Sequence, residues 1–240
     1  MYEPKTYRHW IKGEDLTSFN VVIKETDLYI RASANLEEEA LNLVIKYRDT
    51  LESYIERHPP FLTSLEPLPG TGDIAPILRP MMDASRKAGV GPMASVAGAI
   101  AEYVGSRLIN SAEEVIIENG GDIYLKSSRK RLIGIYAGNS PLSGKIALEI
   151  EGRDTPLGIC TSSGTVGHSL SYGRADAVIV ISASASLADA VATATGNMVK
   201  ESGDIPKGIG FARCIDGITG TVIIKDDSMG VWGDVVISGT

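Results

Sequence analysis

One carboxylate and one hydroxyl, Asp189 and Thr193, stand four residues apart in the small-residue run Ser184-Ala-Ser-Leu-Ala-Asp-Ala-Val-Ala-Thr-Ala-Thr-Gly-Asn197. The run predicts a helix, and positions i and i+4 stack on one helical face. A carboxylate beside a hydroxyl suits a hard, oxygen-seeking cation such as Mg2+, which takes few protein ligands and fills its other positions with water and phosphate oxygens. The surrounding alanines would admit a ligand or a second backbone at close range. Polar decoration of an ordinary helix accounts for the same two residues, so the spacing alone leaves both readings open.

Two further segments carry residue types suited to a ligand. In Glu118-Asn-Gly-Gly-Asp-Ile123, a glycine turn follows the apolar run Val115-Ile-Ile117. Asn119, Gly120, Gly121 and Asp122 read either as a plain hairpin tip or as a turn whose glycines let the backbone touch a ring or phosphate while Asp122 accepts hydrogen bonds. Downstream, Gly158-Ile-Cys-Thr-Ser-Ser-Gly-Thr-Val-Gly-His-Ser169 places Thr161, Ser162, Ser163 and Gly164 after a short strand-like run. Such a turn offers successive N–H groups and three hydroxyls, a nest for a pyrophosphate. A common serine-rich loop is the alternative. His168 is either a hydrogen-bonded structural group or a proton carrier and phosphate partner near neutral pH. Cys160 is either an inert core thiol or, with His168 or Arg174 beside it, a thiolate capable of sulfur transfer.

The order of these three segments, ending in Ala-Asp-Ala-Val-Ala-Thr, resembles the FAD:protein FMN transferase superfamily, the ApbE-like proteins. The wording is closer still to a family of archaeal and bacterial proteins placed beside that superfamily, through Phe61-Leu-Thr-Ser-Leu-Glu-Pro-Leu-Pro69, Gly89-Val-Gly-Pro-Met93, Glu118-Asn-Gly-Gly-Asp122, Tyr136-Ala-Gly138 with Ser140-Pro-Leu-Ser-Gly144, and Gly158 through Asp176. The resemblance implies one ApbE-like, T-fold-like domain over residues 1–240. It also implies a pocket holding a flavin or other nucleotide with Mg2+. Asp189 and Thr193 would hold the metal, Asn119 to Asp122 the ring or sugar, and Thr161 to Gly164 the phosphates. The close family is linked to sulfur assimilation and homocysteine formation. A non-catalytic accessory role beside a sulfur-pathway protein, or a Cys160 persulfide carrier, is therefore the alternative expectation. Two departures bear on flavinyl transfer. The transferases carry His-x-x-Asp-Pro where this chain has Gly167-His-Ser-Leu-Ser-Tyr-Gly-Arg174, and a Lys-Gly pair where it has Ala97-Gly98.

The elements that must position these residues follow from periodicity. Phe19–Lys24 and Asp27–Ala32 read as a hairpin, followed by an amphipathic helix capped by Asn35, striped by Leu41, Val44, Ile45, Leu51 and Ile55, and stopped at Pro59-Pro60. A proline-rich loop is expected over 61–72, then a helix near Pro76, and another from Met93 to Ile109 with a face of Ala94, Ala97, Gly98 and Ala101. Val115–Glu118, Ile123–Leu125, Leu132–Ala137, Ile146–Ile150, Ile159, Ala177–Ile181, Thr221–Ile224 and Val235–Ile237 read as strands. Helices that cluster rather than alternate with strands predict an α+β fold, a mainly antiparallel sheet with packed helices.

A net charge of -7 in 240 residues argues against nucleic acid or an anionic membrane as partner. The one basic cluster, Arg129-Lys-Arg131, reads as a solvated hairpin tip. Met1–Trp10 lacks an apolar targeting core, so a cytoplasmic location is expected, with a small-molecule ligand, free thiols at Cys160 and Cys214, and a homo-oligomer left open.

Overall fold

The computed structural model describes residues 15–70, 74–166 and 172–240. Eight strands form one fully antiparallel sheet in the order β1 (Thr17–Ile23), β2 (Thr26–Ala32), β3 (Val115–Asn119), β4 (Asp122–Lys126), β7 (Leu157–Ser162), β8 (Ala177–Ser182), β9 (Ile218–Lys225) and β10 (Ser228–Gly233). Between β4 and β7 the chain leaves to build β5 (Arg131–Gly134) and β6 (Ile146–Ile150). With β11 (Val236–Gly239) these make a second, three-stranded sheet. The large sheet thus has two halves of the same plan. Each is a hairpin, a helical passage and a second hairpin, and the halves join where β4 pairs with β7.

Helices cover one face: α1 (Glu37–Arg57), α2 (Pro60–Thr63), α3 (Leu78–Ala88), α4 (Val96–Leu108), α5 (Ala185–Met198) and α6 (Ile205–Arg213). Strand alternation divides the core accordingly. Val115 and Ile117 point to the helices of the first half, Val178 and Val180 to α5, and Ile116, Ile179 and Ile181 to the three-stranded sheet behind. Arg131 on β5 ties the two sheets, bonding Glu114 ahead of β3 and Ser127 after β4. No helix among the described residues is long and apolar enough to cross a membrane.

The α+β, mainly antiparallel expectation holds, with local corrections. Asn35 lies one residue outside the cap of α1, its Oδ1 accepting the Glu37 N–H at 3.2 Å. The buried stripe is Ala40, Val44, Tyr47, Leu51 and Tyr54, whereas Leu41 and Ile45 are exposed. Tyrosines supply large apolar rings while reading as polar letters, and they rotate the stripe. The expected loop after Pro60 opens with the single turn of α2. Met93 lies in a 3-10 turn, Pro92–Ser95, that precedes α4. Sequence periodicity missed α6 and β10, both broken by glycines.

Candidate functional site

Asp122, Cys160 and Asp189 come together at the β4–β7 seam, on the helix side of the sheet. Ile123 pairs with Ile159 across that seam, so Asp122 at the head of β4 stands beside Cys160 on β7. Asn119 and Asp122 flank a two-residue hairpin whose centre, Gly120 and Gly121, has φ of 67° and 106°. Positive φ at both positions is the reason for two glycines there. Above the seam α4 and α5 press onto each other. A Cβ on Gly98 would lie 2.4 Å from the Ala185 carbonyl oxygen and 2.9 Å from Asp189 Cβ, and one on Gly158 would lie 2.3 Å from Ala185 Cα. Missing side chains at these positions bring helix backbone within hydrogen-bond range of the carboxylates.

Asp189 accepts the Gly98 N–H at 2.9 Å, Asp122 accepts the Thr161 N–H at 3.2 Å, and the Asn119 amide donates to the Ala97 carbonyl at 3.0 Å. The Ala97–Gly98 peptide is therefore gripped at both ends, by Asn119 from the hairpin and by Asp189 from α5. Glu118, buried behind the turn, accepts the Gly121 N–H at 2.8 Å. Glu102 on α4 fixes the start of α5, accepting the Ser186 N–H at 3.0 Å and the Ser184 and Ser186 hydroxyls at 3.2 Å.

Asp122 and Asp189 are both buried, and no ion pair among the described residues reaches either. Burial drives the Asp189 carboxyl up to about 7, against the Gly98 and Ala97 N–H groups that favour its charged form. Burial, then the charge of Asp189, holds the Asp122 carboxyl well above the usual carboxylate range. Two carboxylates that oppose each other's ionisation in a low-dielectric seam fit a divalent cation, whose charge would offset both. The donor set is oxygen-rich, as a hard cation needs. Among the described residues no group of three or more His, Cys, Asp or Glu side chains converges on one point. Such a cation would accordingly complete its shell from hydroxyl, backbone, water and phosphate oxygens. Thr193 lies half-buried one turn beyond Asp189 on α5.

Cys160 is fully buried, and its thiol donates to the Ala185 carbonyl at 3.3 Å. Burial first, then the charges of Asp122 and Asp189, push that thiol well above its ordinary range. The cationic neighbour that a thiolate needs is not Arg174, which is exposed. His168, the other candidate, lies outside the described residues, as do Gly167 and Ser169 to Ser171. Cys214 is exposed, and both cysteines are free.

Thr161 and Ser162 close strand β7 instead of forming a turn. The hydroxyl-rich bend begins at Ser163, whose Oγ accepts the N–H groups of Thr165 at 3.1 Å and Val166 at 3.0 Å. Ser162 faces the last turn of α5, its Oγ lying 3.2 Å from where a Cβ on Gly196 would sit. Gly164 donates to the Ala175 carbonyl at 2.9 Å. A separate groove of about 500 Å³ between α6 and β10, lined by Ile205, Ile209, Arg213, Met229 and Val231, contains none of the candidate residues.

Residues 8–207 match the family model described as AbpE bacteria. A UPF0280 protein of Methanocella arvoryzae is 42% identical over 212 residues, covering 88% of this chain and 86% of its own length. Another, from Methanococcus vannielii, is 41% identical over 227 residues and 92% of each chain. The chain belongs to the UPF0280 family. Its fold is that of solved ApbE structures. The Pseudomonas stutzeri flavinyl transferase ApbE, apo form, superposes with a TM-score of 0.54 at 15% identity over 91% of this chain and 94% of that one. The ApbE protein of Thermotoga maritima gives 0.55 at 13% identity over 90% and 96%. At those identities the likeness to ApbE is one of architecture, and the UPF0280 relatives carry the membership.

Proposed function

We propose that the seam between the two halves of the sheet binds a flavin or other nucleotide through its phosphates, with Mg2+ held by Asp189, Thr193 and Asp122. One observation carries this reading: a pair of buried carboxylates with no cationic side chain among the described residues to offset them, held instead by N–H groups of closely packed backbone. The resemblance to flavin transferases in fold agrees with a nucleotide as occupant. Bound there, Mg2+ would neutralise phosphate charge and orient it. The chain's own groups supply the rest. The Gly120–Gly121 tip gives backbone access to a planar ring, and the hydroxyls of Ser162 to Thr165 line the phosphate side. Ala97 replaces the lysine of the transferases beside Gly98, so flavinyl transfer to a protein threonine is expected to be weak or absent.

Calorimetric titration of FAD and of ADP, each with Mg2+ and with EDTA, tests the reading. Binding should require Mg2+ and disappear in Asp189→Asn while the fold persists. Metal-independent binding, or unchanged affinity in that variant, overturns the Mg2+ assignment. Absence of any nucleotide binding by the native protein would move the balance to an accessory role in sulfur assimilation, read out by co-purification with a sulfur-pathway enzyme.

A further inference from the structure

Asp176 sits just before β8, is almost fully buried, and uses its two oxygens for two different loops. Oδ1 accepts the Thr165 hydroxyl at 3.1 Å, and Thr165 in turn lies 3.3 Å from Ser163 Oγ inside the hydroxyl bend. Oδ2 accepts the Asp226 N–H at 2.6 Å, at the tip of the β9–β10 hairpin, where Asp226 has φ of 57°. Ser140 donates to the Asp226 carbonyl at 2.6 Å, which brings in the loop between β5 and β6. That loop also leans on the bend itself: a Cβ on Gly138 would lie 2.8 Å from Val166 Cγ2 and 3.3 Å from Thr165 Oγ1. Lys225 Nζ, 3.8 Å from Asp176, supplies the neighbouring positive charge.

Secondary structure alone does not fix the bend. Past Ser162 it leaves the ladder, and among the described residues its hydroxyl contacts are local except for the one to Asp176. An ionised acceptor holds a hydroxyl more firmly than a neutral one. It therefore decides which rotamer Thr165 adopts and, through Ser163, where the amides of Thr165 and Val166 are held. We infer that Asp176 is a positioning residue: it ties the hydroxyl bend to the β9–β10 tip, so that the bend is pre-shaped for the phosphate side of a nucleotide without touching it. The ligand in this inference rests on the pocket reading above; the geometry does not.

A double-mutant cycle of Thr165→Val and Asp176→Ala, read by FAD titration with Mg2+ and by thermal melting, tests it. Loss of a charge-assisted hydrogen bond that pre-organises a site corresponds to roughly a tenfold weakening. Each single variant should show that loss, and the double variant no more than either one. The melting temperature should fall in Asp176→Ala, which also loses the Asp226 contact, and stay near the native value in Thr165→Val. Native affinity in a folded Asp176→Ala, or losses that multiply in the double variant, overturns the inference. Where Asp176→Ala does not fold, Asp176→Asn serves. Its amide can still partner both Thr165 and Asp226 but without the charge, so its affinity should fall between native and Thr165→Val, and Thr165→Val alone must still weaken binding. Should the native protein bind neither FAD nor ADP, the pocket reading falls and amide hydrogen exchange judges the anchor. The Thr165 and Val166 amides should then exchange at least about tenfold faster in Asp176→Ala, with Ile179 and Val222 still protected. Unchanged exchange at the bend would overturn it.

Discussion

Helices α1 and α5 occupy comparable places, each following the first hairpin of its half of the sheet, yet their sequences obey different rules. α1 shows acidic residues in its first turn, Arg57 in its last, and one buried stripe with a charged outer face. α5 is buried on nearly every side over Ala185–Gly196, enclosed by β7, β8, α3, α4 and α6, and Asp189 is its one charged residue. The carboxylates of α1 lie at the surface, Glu52 paired there with Lys24 and Arg48, and tell nothing of function. The same group on α5 opposes burial, since an unpaired charge in a low-dielectric interior is strongly unfavourable. A charge kept on a helix with no solvent face is therefore the informative one.

The largest effect that would break this contrast is steric. Gly98→Ala places a methyl group against the Ala185 carbonyl and Asp189 Cβ, contacts made of backbone and a packed helix that cannot swing aside. Overpacking of this kind costs about 3 kcal/mol or more. Asn42→Ala on the exposed face of α1 should stay within about 0.5 kcal/mol of native. Urea melts of the two variants measure both. A Gly98→Ala protein as stable as native would show that α4 and α5 can separate, and that the grip on the Ala97–Gly98 peptide is loose.

The same contrast shows what was legible in the sequence. Hairpins and surface helices were readable because their apolar spacing is local: Phe19 to Ala32, Val115 to Leu125 and Ala177 to Ile181 all form strands. α6 and β10 were not, because Gly208, Gly210, Gly230 and Gly233 weaken both patterns. The lack of side chains at Gly208 and Gly230 lets α6 sit close to the sheet, Gly208 against Ile223 of β9 and Gly230 of β10 against Ile205 and Ile209, a tertiary reason that no local window contains. In the candidate site, Asp122, Cys160 and Asp189 stood out by type and spacing. The Asn119 bond to Ala97, the Glu102 cap on α5 and the double role of Asp176 did not. They join residues between 11 and 84 positions apart, separations that only folding closes.

A pH titration sharpens the comparison next. The Asp189 carboxyl is raised to about 7 in the folded chain, above the value near 4 of an unfolded one. A group shifted upward contributes stability that is complete below its unfolded value and is lost as pH rises through its folded value. In EDTA, native protein should thus lose stability from about pH 4 to pH 7 relative to Asp189→Asn. The gap by pH 8 should be on the order of a few kcal/mol. With Mg2+ and nucleotide the order should reverse, because the ligand form is the carboxylate and binding competes with the proton. Parallel pH profiles for native and Asp189→Asn proteins in EDTA would mean that Asp189 titrates as a surface group.

The smallest effect belongs to Cys160, which carries the contrast down to a single sulfur. Fully buried beside α5, donating to the Ala185 carbonyl and facing two carboxylates, its thiol is held protonated and out of reach of reagents. Cys214 at the end of α6 is exposed and should react first. A thiol-reactive probe should therefore modify one cysteine of the folded chain and the second only after unfolding, with mass spectrometry assigning Cys214 to the fast step. Cys160→Ala removes little volume, so about 1 kcal/mol of stability is expected to go with it. Leu41→Ala, a larger truncation on the exposed side of α1, should cost less. Nucleotide affinity should survive Cys160→Ala, since the thiol already spends its proton on the Ala185 carbonyl and has no cationic neighbour among the described residues to make it a nucleophile. Rapid labelling of Cys160 in the folded state, or a persulfide that accumulates there under a sulfide donor and oxidant while Cys214 stays bare, would reverse the assignment. It would place sulfur chemistry, in place of a phosphate ligand, at the seam between the two halves.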